Sequence, residues 1–269
     1  METVTELDLA LREFVAHDRV LIALDFDGTL APLVADPSQS RSTELAAASL
    51  KRLVQDERVI LALISGRPGQ TLAELAQPPI GTHLIGSHGA EIGVMEASGF
   101  VAEELTLSVQ QQELLQQVRS ELEEIAAQHE NVWVEHKPAS AALHTRPATP
   151  QVAQAANAQT LSGPAKLSGA VVLEGKSVIE IGVLTATKGE AITQLRTTVG
   201  NPPVLFMGDD VTDEHAFAVL NDGRDGRPAG GDIGVKVGAG QTRAGYRVAD
   251  PDEVGAKLKY LAQLLESGR

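Results

Sequence analysis

The sequence of 269 residues contains no cysteine. This absence excludes disulfide bonds, thiolate catalysis and zinc sites built on cysteine. No apolar run approaches the roughly 18 residues that a membrane-spanning helix needs. The acidic segment Met1–Phe14 also lacks the basic region and apolar run of a secretory signal. The sequence therefore predicts a soluble cytoplasmic protein.

Positive charge is scarce, because 22 basic residues face 36 acidic ones and the formal net charge is −14. Such a charge argues against nucleic acid or an anionic membrane as a partner. It also repels phosphate esters, so a phosphate site in this protein needs local cations or a metal. The length allows one large domain or two modest ones.

Short apolar runs recur along the chain, and each is followed by polar or glycine-rich residues. They lie at Val20–Phe26, Val59–Ile64, His83–Ile85, Val204–Met207 and Ile233–Val237. Strands that are apolar on both faces are typical of parallel sheets covered by helices. Helical patterns at Ser42–Gln55, Lys188–Val199 and Asp252–Leu265 supply such helices. The alternation predicts an α/β fold whose core is a doubly wound, Rossmann-like parallel sheet.

The middle third of the sequence has a different pattern: a helix, two strands, a helix and two more strands. These segments are Glu103–Gln128, Asn131–Lys137, Ala141–Arg146, Pro150–Leu161, Ala170–Leu173 and Ser177–Val183. We therefore expect two domains. Residues 1–102 and 185–269 would form the catalytic core, and residues 103–184 an inserted α+β cap of order αββαββ.

Two aspartates, Asp25 and Asp27, follow the first predicted strand. Residues two apart on a strand share a face, so we expect both carboxylates to converge on one point. Two adjacent carboxylates repel each other unless a cation lies between them. The pair favours a divalent metal with a phosphate substrate, and it leaves one aspartate free to act as a nucleophile.

Further polar groups follow the other core elements. They are Ser65-Gly66-Arg67, Gly86-Ser87-His88-Gly89-Ala90-Glu91, Lys188-Gly189 and Gly208-Asp209-Asp210-Val211-Thr212-Asp213-Glu214. Ligands of parallel α/β sheets bind beyond the carboxyl ends of the strands. Each group alone also has a structural explanation, since aspartates cap helices and lysines are usually solvated. Their joint order along the chain favours a catalytic site.

This set resembles the haloacid dehalogenase (HAD) superfamily of phosphotransferases. The superfamily has a DxDGT motif, a strand-end Ser or Thr, a lysine and an acidic cluster. Here Asp25–Thr29, Ser65, Lys188 and Gly208–Asp213 match them. The resemblance implies a HAD-like core and a Mg²⁺-dependent phosphatase.

The resemblance also implies a role for each aspartate of the first motif. Asp25 would attack phosphorus and form an aspartyl-phosphate. Asp27 would protonate the leaving oxygen and then deprotonate the water that hydrolyses the intermediate. Mg²⁺ would be bound by Asp25, by the carbonyl of Asp27 and by Asp209.

The remaining motifs imply stabilisation of the phosphoryl group. Ser65 would hydrogen-bond one of its oxygens, Lys188 would neutralise its charge, and Asp213 would orient Lys188 or a metal-bound water. Two unit charges in close contact interact by roughly 4 kcal/mol at an effective dielectric constant near 20. Mg²⁺ and Lys188 can therefore outweigh the diffuse repulsion of the protein's net charge.

The predicted cap carries a second set of polar residues. Glu135 and Lys137 share one face of a strand, His144 and Arg146 share one face of the next, and Glu180 lies in a later strand. Such residues are often merely solvated. Carboxylates and cations on an open sheet also suit a ligand with many hydroxyl groups.

A longer series of motifs is similar to the trehalose-6-phosphate phosphatase family. It comprises DFDGTL from Asp25, SGR from Ser65, GSHGAE from Gly86, EHK from Glu135, LHTR from Leu143, GKSVIE from Gly175, KG from Lys188 and GDDVTDE from Gly208. The resemblance implies hydrolysis of trehalose 6-phosphate, the last step of trehalose biosynthesis. Gly182-Val183 stands where family members often have Arg-Pro.

By the same resemblance, the cap residues bind the substrate. Glu135, Lys137 and Glu180 would hold the sugar hydroxyls, with His144 in the same set. Arg67, His88 and Arg146 would line a cleft between cap and core.

Three alternatives remain open at the level of sequence. The chain could be another sugar-phosphate phosphatase, acting on sucrose phosphate or mannosyl-phosphoglycerate, because the same core serves all of them. It could be a phospho-aspartate signalling receiver, although the cap and Asp27 argue against this. It could also be a silent sugar-binding domain. We expect a small-molecule sugar phosphate as its partner and a monomer as its working state.

Overall fold

The structure is a computed structural model that describes residues 4–104, 107–175, 177–184, 187–220 and 231–267. The chain divides into two compact units. Met1–Glu103 and Ala186–Arg269 form the first, which we call the core unit. Glu104–Thr185 form the second, which we call the inserted unit.

The helices and strands alternate through most of the described chain. The strands are β1 (Val20–Leu24), β2 (Val59–Ile64), β3 (His83–Gly86), β4 (Glu91–Glu96), β5 (Gly99–Ala102), β6 (Trp133–Lys137), β7 (Ser140–His144), β8 (Val171–Gly175), β9 (Val178–Gly182), β10 (Val204–Gly208), β11 (Ile233–Val237) and β12 (Tyr246–Val248). The α-helices are α1 (Glu6–Phe14), α2 (Glu44–Leu53), α3 (Gly69–Ala76), α4 (Val109–Ala127), α5 (Pro150–Ser162), α6 (Lys188–Thr198), α7 (Glu214–Phe217) and α8 (Pro251–Ser267).

The core unit is built on one sheet of order β12-β11-β10-β1-β2-β3-β4-β5. Its first six strands are parallel, and β4 and β5 are added antiparallel at one edge. Leu50 of α2 and Leu258 of α8 are buried on one face. Ile192 of α6 and Phe217 of α7 are buried on the other. Helices on both faces of a parallel sheet confirm the predicted doubly wound α/β fold.

Helix α6 begins where its sequence places a capping box. The Thr187 hydroxyl accepts the N–H of Glu190 at 3.1 Å, and the Glu190 carboxylate accepts the N–H of Thr187 at 3.0 Å. This reciprocal pair satisfies two of the free donors of a helix start. It fixes Lys188 as the first residue of the helix.

Several predicted boundaries were wrong. Strand β1 ends at Leu24 rather than Phe26, because the Phe26 carbonyl accepts the N–H groups of Leu30 and Ala31 at 2.9 Å in a turn. Helix α4 begins at Val109 rather than Glu103, after a cap by Ser108. The antiparallel strands β4 and β5 were not predicted, since their mixed polar and apolar residues give no continuous run.

The inserted unit is a four-stranded antiparallel sheet of order β6-β7-β9-β8 with helices α4 and α5. Val118 and Leu122 of α4 are buried against Leu143 and Ile181 of the sheet. Side chains alternate along a strand, so Trp133, Glu135, Lys137, Ser140, His144 and Glu180 lie on the opposite face. We call it the polar face.

None of the helices in the described part of the chain is both long and apolar enough to cross a bilayer. The cytoplasmic location stays a prediction.

Candidate active site

The carboxyl ends of β1 and β10 lie side by side because these strands are parallel neighbours. Leu24 pairs with Met207, and Asp25 donates its backbone N–H to the Met207 carbonyl at 2.9 Å. The turn after Asp25 requires glycine at position 28, where φ is +77°. A Cβ there would lie 2.0 Å from Oδ2 of Asp209. The carboxylate of Asp209 thus occupies the space that a side chain at residue 28 would need.

Lys188 joins two of the predicted catalytic carboxylates. Its Nζ donates to Oδ1 of Asp25 at 2.8 Å and to Oδ1 of Asp213 at 2.6 Å. All three side chains are buried, and Lys188 is only 3% exposed. Burial alone would lower the pKa of Lys188, but the charges of Asp25 and Asp213 outweigh it and raise that pKa. The lysine therefore stays charged inside the protein.

Three carboxylates crowd the same point. One oxygen from each of Asp25, Asp209 and Asp213 lies within 4.8 Å of the others. Burial raises the pKa of Asp25 to about 8, and the charges of Asp213 and Asp209 add to this against the opposing charge of Lys188. Burial also raises the pKa of Asp209. Three carboxyl groups thus share one buried lysine, and without a further cation burial favours the protonated forms of Asp25 and Asp209.

This cluster fits a divalent cation. Oδ1 of Asp209 is buried and, within the described chain, accepts no hydrogen bond. A buried acceptor without a donor is costly, and carboxylate oxygens are the ligands that Mg²⁺ prefers. Asp213 is less available, since its oxygens accept Lys188 and the N–H of Asp210 at 2.9 Å. Asp25 and Asp209 are therefore the best-placed ligands.

Asp27 is held apart from that cluster. Arg67 donates two hydrogen bonds to its carboxylate, and the Ser40 hydroxyl donates a third to Oδ1 at 2.9 Å. The Asp27 carboxylate thus bonds Arg67 and Ser40, whereas the Asp25 carboxylate bonds Lys188. That both carboxylates converge on one cation stays a prediction. The Asp27 carbonyl as a metal ligand stays a prediction.

Ser65 and His88 lie at the ends of β2 and β3. Ser65 is 2% exposed, and its hydroxyl accepts the N–H of Arg67 at 3.2 Å. The backbone N–H of His88 donates to the Ser65 carbonyl at 3.0 Å. His88 has a left-handed φ of 58°. Its imidazole lies above Gly66, where a Cβ would come within 2.6 Å of Nε2. The two loops thus hold each other beside Arg67.

Two residues near the cluster were missed by the sequence reasoning. Lys236 is 5% exposed and donates to the backbone carbonyl of Asp209. The sequence feature that could have identified Lys236 is its place as a single lysine in the otherwise apolar strand β11. Ser40 is completely buried and bonds Asp27, but no local pattern distinguishes it from the neighbouring loop serines.

The inserted unit pairs its predicted binding residues on the polar face. Lys137 Nζ donates to Oε2 of Glu180 at 2.6 Å, and the Ser140 hydroxyl donates to Oε1 at 2.6 Å. His144 Nε2 lies 2.9 Å from Oε2 of Glu135. These pairs are partly exposed. The structure therefore brings the residues together in two hydrogen-bonded groups.

Arg146 lies just beyond the end of β7 and is exposed. Trp133, which the sequence reasoning did not single out, stacks on His144 with 4.1 Å between ring centroids and 9° between planes. The predicted cleft between cap and core stays a prediction.

Comparisons with known proteins agree with this geometry. The family model described as trehalose-phosphatase matches residues 23–252. The chain is 32% identical to trehalose-6-phosphate phosphatase of Escherichia coli over 248 residues, which cover 91% of this chain and 87% of that protein. It is 26% identical to a probable trehalose-phosphate phosphatase E of Arabidopsis thaliana, covering 93% and 72% of the two chains.

Among solved structures, trehalose-6-phosphate phosphatase of Aspergillus fumigatus matches with a TM-score of 0.69 and 25% identity. The match covers 98% of this chain and 99% of that one. The match to the family model runs from the start of the first motif to the last helix, so the chain belongs to the trehalose-phosphatase family.

Proposed function

We propose that the protein is a Mg²⁺-dependent phosphatase that hydrolyses trehalose 6-phosphate to trehalose and phosphate, the last step of trehalose biosynthesis. The observation that carries the proposal is the buried contact of Lys188 with Asp25 and Asp213 beside Asp209. Family membership favours this reaction over a signalling receiver, a silent domain or a phosphatase for another sugar.

The first half-reaction transfers the phosphoryl group to the protein. A carboxylate oxygen of Asp25 forms a bond to phosphorus as the bond from phosphorus to the sugar oxygen breaks. Lys188 stabilises the charge on the phosphoryl oxygens, and the Ser65 hydroxyl donates to one of them. Asp27 must be protonated for this step, in which it gives its proton to the departing sugar oxygen while Arg67 and Ser40 hold its carboxyl group.

The second half-reaction releases phosphate. Asp27 takes a proton from a water molecule whose oxygen attacks phosphorus, and the acyl-phosphate bond to Asp25 breaks. Both aspartates thereby return to their starting protonation states. Asp25, Asp209 and the carbonyl of Asp27 would hold Mg²⁺, which supplies positive charge against the phosphoryl oxygens when bound.

The sugar is assigned to the polar face of the inserted unit. Lys137, Ser140 and Glu180 present donors and acceptors in one hydrogen-bonded group, as do Glu135 and His144. These paired side chains keep lone pairs and N–H groups that the pairs do not use. Such groups can bond several hydroxyls of an uncharged sugar. A non-reducing disaccharide offers such hydroxyls and little apolar surface.

The test is phosphate release from a panel of sugar phosphates with Mg²⁺ present. We expect trehalose 6-phosphate to be hydrolysed with the highest kcat/KM, well above sucrose phosphate, mannosyl-phosphoglycerate and glucose 6-phosphate. The Asp25→Asn variant should lose turnover on all of them. Equal kcat/KM for glucose 6-phosphate and trehalose 6-phosphate would contradict the assigned substrate, and turnover by Asp25→Asn would contradict the assigned nucleophile.

A further inference from the structure

Trp133 is a large, half-exposed apolar side chain on the polar face of the inserted unit. It lies at the start of β6, an edge strand, and projects from the polar face together with Glu135 and Lys137. Trp133 is 48% exposed, whereas the apolar residues of the opposite face are buried under the helices. Exposed indole surface is unfavourable in water, so a ligand that covers it gains free energy.

The indole is held in one orientation. Trp133 and His144 are direct cross-strand partners, and their rings are parallel, 4.1 Å apart. His144 is itself fixed, because its Nε2 lies 2.9 Å from a Glu135 carboxylate oxygen. A carboxylate thus positions an imidazole, and the imidazole positions an indole. Rings that are already ordered lose little entropy when a ligand binds them.

Polar groups surround this aromatic pair. Trp133 and His144 line an open depression of about 490 Å³ together with Arg146, Pro147, Ser177 and Val178. The depression therefore combines a flat apolar surface with a guanidinium, a hydroxyl and an imidazole at its rim. Ligand sites typically have this composition, with apolar walls and a few polar groups that fix orientation.

We infer that the Trp133–His144 stack is a binding platform for one hexopyranose ring of the substrate. A pyranose ring has an apolar face of C–H groups and a periphery of hydroxyls, which matches a flat aromatic surface with a polar rim. The platform rests on the proposed function, and it adds the stacking residue that recognises a ring rather than a set of hydroxyls.

The chain contains a single tryptophan, so its fluorescence reports on the platform alone. Trehalose, which has no phosphate to be cleaved, is titrated into the full-length protein. We expect a saturable change in emission with trehalose and none with sorbitol, a linear polyol, at equal concentration. No change with trehalose, or an equal change with sorbitol, would overturn the inference.

Kinetics supply a second, independent readout. Trp133→Ala should raise KM for trehalose 6-phosphate about tenfold, which corresponds to about 1.4 kcal/mol, with kcat little changed. Trp133→Phe should keep most of the affinity because it keeps an aromatic face. Neither variant should alter hydrolysis of p-nitrophenyl phosphate, which has no sugar ring.

Leu173→Ala is the matched control, since Leu173 is 49% exposed on the same face in the opposite edge strand. An equal rise in KM for Leu173→Ala would contradict a specific role of the stack. The fluorescence outcome also separates the two proposals. If trehalose 6-phosphate is hydrolysed while trehalose leaves the emission unchanged, the platform is wrong and the proposed function stands. If trehalose changes the emission while trehalose 6-phosphate is not hydrolysed, the proposed function is wrong.

Discussion

Arg67 binds the carboxylate of Asp27 through two parallel hydrogen bonds, from Nε to Oδ2 at 2.5 Å and from Nη2 to Oδ1 at 2.7 Å. The guanidinium also lies 5.8 Å from the centre of the Phe26 ring. A planar fork that meets a carboxylate at both oxygens fixes its orientation as well as its position. The proposed acid and base of the reaction is therefore oriented before the substrate arrives.

Arg67→Lys should slow the hydrolysis of substrates whose leaving group needs a proton. Lysine keeps the charge but not the two-point geometry. We expect kcat for trehalose 6-phosphate to fall about tenfold or more, and turnover of p-nitrophenyl phosphate to fall far less, because nitrophenolate leaves without a proton. Steady-state rates with both substrates check this. Equal losses on both would show that Arg67 does not act through Asp27.

Ser40→Ala should have a smaller effect of the same kind. It removes one of the hydrogen bonds that fix Asp27, and bonds to charged groups contribute about 1.5–3 kcal/mol. We expect kcat to fall about threefold to tenfold with an unchanged fold. Ser49→Ala is the control, because Ser49 is also buried but its hydroxyl donates to the Leu45 carbonyl within α2. A loss of activity in both variants would indicate a general packing effect.

Lys188→Met should remove activity and destabilise the protein, because it leaves buried carboxylates without their cation. Breaking a buried ion pair typically costs about 3–5 kcal/mol. The double variant Lys188→Met with Asp213→Asn should recover part of the stability, since it also removes the charge of one carboxylate. It should recover none of the turnover. Urea unfolding of the single and double variants measures the coupling. Additive losses would mean that the two side chains are energetically independent.

Mg²⁺ should stabilise the protein more at pH 8 than at pH 6. The folded pKa of Asp25 is raised from an ordinary 3.8 to about 8, so the folded state without metal binds a proton that the unfolded state releases. That contribution to stability is complete below the unfolded pKa, shrinks as pH rises and is gone above the folded pKa. The Tm in EDTA should therefore fall as pH rises from 6 to 8. A bound cation should offset this loss, so Mg²⁺ should raise the Tm more at pH 8.

Thermal melts at the two pH values, with and without Mg²⁺, check this prediction. In Asp25→Asn the decline of the Tm with rising pH in EDTA should be shallower, because the main titrating group is absent. A metal-induced Tm shift of the same size at both pH values in the unsubstituted protein would contradict it.

Glu180→Gln should weaken sugar binding without impairing phosphoryl transfer. The change neutralises the partner of Lys137 and Ser140 on the polar face. We expect KM for trehalose 6-phosphate to rise about tenfold, and kcat/KM for p-nitrophenyl phosphate to stay the same. Glu123→Gln serves as the control, since Glu123 contacts another side chain of the inserted unit, Nε2 of His136 at 2.7 Å. Equal losses on both substrates in Glu180→Gln would argue against contact with the sugar.

Much of the core could be predicted because parallel strands place their carboxyl ends together. This rule predicted that Asp25 and Asp213 lie near one another, and the superfamily resemblance added Lys188 at a helix start. The structure joins all three through hydrogen bonds. The contacts of Asp27 with Arg67 and Ser40 were not predicted, since they depend on where β1 ends and the turn begins. The apolar pattern of the sequence does not show at which residue β1 ends.

The contacts of Ser40 and Trp133 were beyond sequence reasoning for another reason. Ser40 reaches Asp27 from a loop 13 residues away, and a loop path has no periodicity to read. The Trp133–His144 stack depends on the exact register of β6 against β7. A register shift of one residue would move either ring to the other face.

The pairing of β1 with β10 has a consequence for how the protein is made. Strand β1, which ends just before Asp25, pairs with a strand that begins at Val204, and Lys188 lies 163 residues beyond Asp25. During translation the ribosome must deliver the entire insertion before these groups can meet. Such distant pairings also make for slow folding. A nascent chain that stops before residue 188 carries the nucleophile but not the lysine that contacts it.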